Sequence, residues 1–535
     1  MNKKILLSFT VMMICFALLI TNLGTIAVKE EFYETAINQH TFNLKVANVR
    51  GLIYDCRGVP LIGVKKKFLA AIVPSMESFN IVMQMVPENL KEKISKKFKS
   101  RLPFITEICG SSTPPEKNED IHIFEIPVRE RSSLAAHVIG YTVDYNGVSG
   151  IEKAYDDHLK SGGEIEIKYK VNASGKLISG ANCVDASQPC IRTKGVMLEL
   201  DKRIQCIAEE VAGKHLIKGA VIVTEIPNCE IRALISLPTY SNQDIKPCLH
   251  DANSPLMNRA FSSYNVGSIF KLVTGAAMLD SGFNKNLIHE CKGYETLEDG
   301  KKIRCYGGVP HGKIDLSEAI YTSCNTYFIK IIKKINVNFL IDMAKKIGFG
   351  TRIDFAPGMS CQPGNLPTPE ELENEKNAAI FSFGQGSLMA APVQISGLIN
   401  TIACNGAYSR PKLVKGLYDE SMILHSIESE MPRQVISINT SEILKESMKK
   451  ALEQGTGKHG RPKTCTAAAK TATAETGIFE NNKRVNQAWY AGFFPFEQPR
   501  YCLTILAENP EDGTKLCAEV FKELAERIFT EIPAK

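Results

Sequence analysis

Three textures follow one another along the chain. Residues 5–28 carry no charged side chain. A helix of that length, rising about 1.5 Å per residue, is long enough to cross the roughly 30 Å hydrocarbon layer of a bilayer. Over residues 29–190 the pattern is mixed. Apolar residues over 68–73 predict a strand, a basic run over 90–99 predicts a helix, and Gly110-Ser111-Ser112-Thr113-Pro114-Pro115-Glu116 and Asn172-Ala173-Ser174-Gly175 predict turns. From about residue 195 the texture changes again. Residues 204–212 have helical periodicity, and two apolar runs, 220–226 and 231–236, flank the turn Pro227-Asn228-Cys229-Glu230, which predicts a β-hairpin. Helices are expected over 268–279 and 316–335, a second hairpin from 488–494 and 501–508, and a closing helix over 518–529. Strands early, helices in the middle, strands and a helix late predict an α+β domain whose sheet joins both ends of the segment.

Length and charge narrow the class. At 535 residues the chain is too long for a single average core. Its net charge of +6 is spread rather than clustered, which argues against nucleic acid as the main partner. No glycine-rich phosphate loop appears, nor a convincing His/Cys metal spacing, so neither a nucleotide nor a structural zinc is expected. Lys3 and Lys4 precede the apolar run and place the N-terminus in the cytoplasm, with the remainder outside. The rival reading is a cleaved signal peptide, but the run is long for one and no small-x-small cleavage site follows. Lys93, Lys96, Lys97 and Lys99 read as a solvated helix face, with anionic wall polymer or lipid as the alternative ligand. Of sixteen cysteines, only Cys15 lies in the apolar run. Cys183/Cys190 and Cys291/Cys305 are the close pairs most able to bridge; buried free thiols in a reducing habitat are the alternative.

Candidate chemistry sits in three short stretches. In Asn265-Val266-Gly267-Ser268-Ile269-Phe270-Lys271, glycine breaks the chain before a helix, and spacing of three puts Ser268 and Lys271 on one helix face. A lysine kept neutral by burial can take the serine proton, and free N–H groups at the helix start can hold an oxyanion. The same spacing recurs at Ser409/Lys412, interrupted by Pro411, and at Ser447/Lys450 on a polar face, so alone it is weak. Ser323-Cys324-Asn325 offers a proton relay and an amide, although two small polar residues also cap helices. Lys470-Thr471-Ala472-Thr473 offers a cation and two hydroxyls on a strand, suited to an anionic end group.

Taken in order, these motifs resemble the active site of penicillin-binding proteins and serine β-lactamases. The flanks narrow the resemblance to class B penicillin-binding proteins: Asn258-Arg259-Ala260, Tyr264, His311-Gly312, Gly384-Gln385-Gly386 with Pro392, and Gly455-Thr456-Gly457 fall where that family has them. So do Arg50-Gly51-Leu52-Ile53-Tyr54-Asp55 with Gly58, His137-Val138-Ile139-Gly140-Tyr141, and Gly150-Ile151-Glu152 with Tyr155, which are similar to the family's pedestal motifs. The resemblance runs from about residue 45 to about 510.

It implies a membrane-anchored α+β protein: an anchor over 1–28, a dimerisation-type pedestal over 29–190, and a transpeptidase domain over 195–535. That last domain would have a five-stranded antiparallel sheet flanked by helices. It also implies Ser268 as nucleophile, Lys271 as general base, Ser323 as proton shuttle, and Asn325 and Lys470 as catalytic partners. Thr471, Ala472 and Thr473 would bind the substrate carboxylate, with N–H groups of Ser268 and Thr473 as oxyanion hole. No cofactor and no metal are implied. The partners would be peptidoglycan stem peptides, as D-Ala-D-Ala donor and amine acceptor, β-lactams, and a SEDS-family glycan polymerase in the membrane. Ala472 departs from the family's glycine, and Val266 and Ile269 from its proline and threonine; the Ala472 methyl is expected to crowd the carboxylate or tilt Thr473. Two rivals stand: a hydrolase of carboxypeptidase or β-lactamase type, and a non-catalytic β-lactam-binding scaffold. A sensor is disfavoured because only Met1 to Lys4 precede the anchor.

Overall fold

The computed structural model describes residues 3–28, 41–100, 102–109, 120–129, 134–161, 164–172, 177, 185–186, 194–242, 244–480, 483–510 and 512–533. Cys183 and Cys190, with most of both turn-rich loops, lie outside them. The apolar run forms one helix, Lys3–Val28. Its span Lys3–Thr25 has a mean hydropathy of 2.3, long and apolar enough to cross a membrane.

By contact density the chain divides into two units, one comprising Met1–Arg50, Val64–Arg129 and Lys160–Thr193, the other Gly51–Gly63, Glu130–Leu159 and Lys194–Lys535. The sequence places a single boundary near residue 190; contact density instead assigns two earlier segments to the second unit. The physical reason is pairing at long range: Ile53 and Tyr54 form a short parallel bridge to Val196 and Met197, and Ile151 and Leu159 are buried in the second unit's core.

In the first unit, strand Val64–Ile72 lies between Phe104–Ile108 and Ile121–Arg129. Its period-2 alternation serves two cores. Ala70 and Ile72 join Val82 and Ile94 from the helices Met76–Met85 and Lys91–Phe98, while Ala71 joins Ile165 and Ile167 from a second sheet. Lys93, Lys96 and Lys99 are exposed, whereas Lys97 donates to the Ile105 carbonyl.

In the second unit, elements are labelled in chain order: α1 (Lys202–His215), β1 (Gly219–Glu225), β2 (Glu230–Leu237), α2 (Lys271–Asp280), β3 (His289–Cys291), β4 (Tyr294–Thr296), β5 (Lys302–Arg304), β6 (Gly312–Ile314), α3 (Leu316–Tyr321), α4 (Asn325–Ile332), α5 (Pro392–Ala403), α6 (Ile438–Glu453), β7 (Ala468–Glu480), β8 (Lys483–Phe494), β9 (Tyr501–Glu508) and α7 (Gly513–Glu531). The main sheet is antiparallel and five-stranded, in the order β2-β1-β9-β8-β7, so its first and last strands in sequence do pair, through β1 and β9. Both faces are covered. Val221, Val223, Ala469, Tyr490 and Ile505 pack with α1 and α7; Ala220, Ile222, Ala472, Trp489 and Leu506 face α2 and α5. Two-sided burial explains why these strands read as continuous apolar runs rather than as alternation. The helix expected over 316–335 is broken into α3 and α4 at Ser323, whose φ is +58°.

Candidate active site

The site gathers at the β7 edge of the sheet. Residues Gly267–Phe270 make one 3₁₀ turn that leads into α2, so half-buried Ser268 lies in the turn and Lys271 opens the helix. Gly267 has φ +64°, and its N–H donates to the Gly384 carbonyl at 2.8 Å. Gly384 has φ +83°, and a methyl there would fall 2.0 Å from the Gly267 oxygen. Glycine at both positions is therefore a packing requirement of the turn. Val266 and Ile269 are fully buried core residues.

Lys271 and Lys470 are both fully buried, and their amines meet at Ser323. The Lys271 Nζ lies 2.6 Å from the Ser323 carbonyl, 2.8 Å from Asn325 Oδ1 and 3.1 Å from Ser323 Oγ. The Lys470 Nζ lies 3.2 Å from the same Oγ and 2.8 Å from the Thr471 carbonyl. The Ser323 hydroxyl thus bridges two amines, an arrangement fit for proton relay. Burial pulls the Lys271 amine down to about 7. Part of that dry wall is aromatic, with Phe328 and Phe383 centred 5.8 and 5.9 Å from the amine. Lys470 is held well below its ordinary value, first by burial and then by the neighbouring charge of Lys271. The Ser268 hydroxyl has no side-chain hydrogen bond among the described residues; the Lys271 amine points its contacts at Ser323 and Asn325.

The far wall is β7. Thr471 is buried, with its hydroxyl 2.8 Å from that of Thr456, whose N–H reaches the Tyr321 carbonyl at the end of α3. Thr473 is exposed, its hydroxyl 3.5 Å from that of Thr514 on α7. The Ala472 methyl was expected to crowd the carboxylate or tilt Thr473, and here the geometry corrects the first of these. Strand alternation puts its methyl on the inward face with Lys470; it is 4% exposed, and a methyl added to Gly267 would meet its Cβ at 3.2 Å. The side chain fills space behind the Ser268 turn.

A second correction concerns metal. Cys291, Cys305, His311 and Cys324 come together with their ligand atoms all within 4.8 Å of one another. Cys291 Sγ is 3.7 Å from Cys305 Sγ and 3.3 Å from His311 Nδ1, and Cys305 Sγ is 3.8 Å from Cys324 Sγ, so of the two readings left open for Cys291 and Cys305, a bridge or free thiols, the structure has the free thiols. The hydrogen bond from Cys324 pulls the Cys305 thiol well below its ordinary value. Three sulfurs and an imidazole, mostly buried, form a donor set suited to tetrahedral Zn²⁺. The sequence hid it because the donors come from the end of β3, the residue after β5, the residue before β6 and the cap of α4, not from a short Cys-x-x-Cys knuckle. Cys324 is the middle residue of Ser323-Cys324-Asn325, and Asn325 Nδ2 donates to the Arg304 carbonyl at 2.9 Å beside Cys305. An ion here would brace the segment that holds Ser323 and Asn325.

A serine at a helix-opening turn, a buried lysine one turn on, a Ser-x-Asn loop and a Lys-Thr edge strand, all beside a five-stranded antiparallel sheet, define a serine acyl-transfer enzyme of the penicillin-recognising fold. The chain belongs to the penicillin-binding proteins: the model of the penicillin binding protein transpeptidase domain matches residues 219–526. Among curated relatives, Stage V sporulation protein D of Bacillus subtilis is 25% identical, over 95% of this chain and 82% of its own length. Peptidoglycan D,D-transpeptidase MrdA of Haemophilus influenzae is 24% identical over 98% and 91%. Among solved structures of like fold, penicillin-binding protein PBP2 of Helicobacter pylori, in complex with MreC, superposes with a TM-score of 0.66 at 22% identity, covering 92% of this chain and 99% of that one. Penicillin-binding protein A of M. tuberculosis, as an imipenem acyl-enzyme complex, superposes with a TM-score of 0.65 at 22% identity, covering 89% and 97%.

Proposed function

We propose that the protein is a peptidoglycan D,D-transpeptidase that cross-links stem peptides through an acyl-enzyme on Ser268, and that β-lactams acylate the same serine. The observation that carries this is the Lys271 amine, buried, drawn down to about 7 and held 2.6 to 3.1 Å from Ser323 and Asn325, one turn on from Ser268. Near neutral pH much of it is unprotonated and can serve as a base. Ser268 Oγ attacks the penultimate D-Ala carbonyl and gives its proton to Lys271. The N–H groups of Ser268 and Thr473 take the oxyanion. The amide bond breaks, the terminal D-Ala amine takes a proton through Ser323, and the acyl ester remains. An amine of a neighbouring stem peptide then attacks the ester and restores the serine. Lys470, Thr471 and Thr473 hold the donor carboxylate, and Asn325 orients Lys271 and the donor amide. Cys291, Cys305, His311 and Cys324 would hold a zinc ion as a brace, outside the reaction.

The apolar helix anchors the chain in the membrane, with the N-terminus cytoplasmic and the catalytic unit outside. A SEDS-family glycan polymerase is the proposed companion, and the first unit the non-catalytic pedestal. The scaffold reading leaned on Ala472, whose inward methyl removes that support. With a D-Ala-D-Ala donor and an acceptor amine, the full-length protein in detergent should release D-Ala and form the cross-linked amide. Release of D-Ala with hydrolysed donor alone would make it a carboxypeptidase.

A further inference from the structure

The two walls of the site differ in how their charges are spent. On the β7 wall the Lys470 amine is buried and committed to Ser323 and Thr471. On the side of Asn325 stands the hairpin of β4 and β5, which joins the Ser323–Asn325 loop through one hydrogen bond: the Arg304 carbonyl accepts from Asn325 Nδ2 at 2.9 Å. Arg304 is therefore one hydrogen bond from a residue that holds Lys271. Its own guanidinium is exposed and has no ion pair or hydrogen bond among the described residues.

Two of the hairpin's acids are engaged by other cations: Glu295 pairs with Lys330 at 3.1 Å and Asp299 with Lys301 at 2.8 Å. Across the hairpin Arg304 faces Tyr294, and Lys302 stands with its amine 4.3 Å from the centre of that ring, so Lys302, Arg304 and Tyr294 share one face. Two residues beyond Arg304, Tyr306 is 91% exposed, turned into water where Gly307 and Gly308 follow at φ +65° and +67°. An uncompensated guanidinium and a bare aromatic beside a reaction centre are groups of the kind that carry recognition.

We infer that Arg304, with Lys302 and Tyr306, forms a subsite for a second carboxylate on the peptide donor, one carried by an acidic residue upstream of the terminal D-Ala pair. The inference rests on the transpeptidase reading. It assigns the donor's terminal carboxylate to β7 and an internal one to the β4–β5 wall, so that the scissile carbonyl is located from both sides. The planar guanidinium fork matches a carboxylate, and partial exposure keeps the contact modest.

The test uses two synthetic donors ending in D-Ala-D-Ala, identical except for a side-chain carboxylate or carboxamide upstream, with full-length protein whose reactive sites are counted by fluorescent penicillin. The carboxylate donor should have a kcat/KM roughly threefold to tenfold higher, expressed in KM, and the advantage should shrink with added salt. Arg304→Gln should bring the ratio to about one, and Arg304→Lys should retain part of it, because both leave the main-chain carbonyl that holds Asn325. Penicillin labelling with equal use of both donors by the unaltered protein would overturn the subsite alone. So would a ratio unchanged in Arg304→Gln. If that variant yields no reactive protein, a salt-independent preference in the unaltered protein overturns it. No labelling of the unaltered protein would overturn the transpeptidase reading and the subsite with it.

Discussion

Lys271→Met exchanges a buried amine for an uncharged chain of similar length, and its consequence for stability can be worked from the site. The amine falls from an ordinary 10.5 to about 7 on folding. At 1.36 kcal/mol per pH unit, carrying the ammonium into the core costs about 5 kcal/mol below pH 7. The substitution removes that cost, but it strips donors from the Ser323 carbonyl and Asn325 Oδ1, at about 1 to 2 kcal/mol each. The variant should be about 2 kcal/mol more stable than the parent at pH 7 while failing to acylate. The sign follows from proton binding. Between about 7 and 10.5 the unfolded chain holds a proton on Lys271 that the folded chain has released, so parental stability rises with pH across that window. The advantage of the variant should therefore shrink as pH increases and reverse at about pH 9, once the lost hydrogen bonds outweigh the remaining burial cost. Denaturant melts of both full-length proteins in detergent, at several pH values, measure the difference directly. A variant less stable than the parent at pH 7, with a gap indifferent to pH, would refute the idea that this amine is held near neutrality.

Other outcomes follow from the same geometry. Ala472→Gly removes a packed methyl and loosens β7, costing about 1.5 kcal/mol in melts without speeding penicillin acylation; faster acylation would mean the methyl does meet the ligand. Purified protein should carry about one zinc per chain by elemental analysis, and Cys291→Ser should lose it with a drop in melting temperature. Metal-free protein with full activity would refute the brace. Acylation rate should rise with pH through about 7 as Lys271 gives up its proton, and a flat profile from pH 6 to 8 would argue against it as base.

How much of this was legible in the sequence differs by element. The β1–β2 and β8–β9 hairpins were readable because continuous apolar runs flank turn residues. The order of Ser268, Ser323 and Lys470 was readable from spacing and flanks. Two things were hidden by distance along the chain. Ile53 and Tyr54 pair with Val196 and Met197, which no local pattern signals, and the Cys291, Cys305, His311 and Cys324 donors converge from separate elements. The break at Ser323 was hidden because helical apolar periodicity runs through it, from Leu316, Ala319 and Ile320 to Cys324, Tyr327, Phe328 and Ile331, although the small polar residues there are weak helix formers; the positive φ shows the turn. Ala472 was open to better reading, since alternation along β7 puts it on the face of Lys470 and away from the two threonine side chains. Arg304 gave no signal, because only the folded hairpin sets it beside Asn325.

The central claim, that Ser268 is the nucleophile served by Lys271, is tested most directly by intact-mass and peptide mapping of the full-length protein after brief treatment with penicillin. One intact penicillin should add to the peptide containing Ser268, with no addition in Ser268→Ala and strongly slowed addition in Lys271→Met. No adduct on the native protein, or an adduct on another residue, would contradict it.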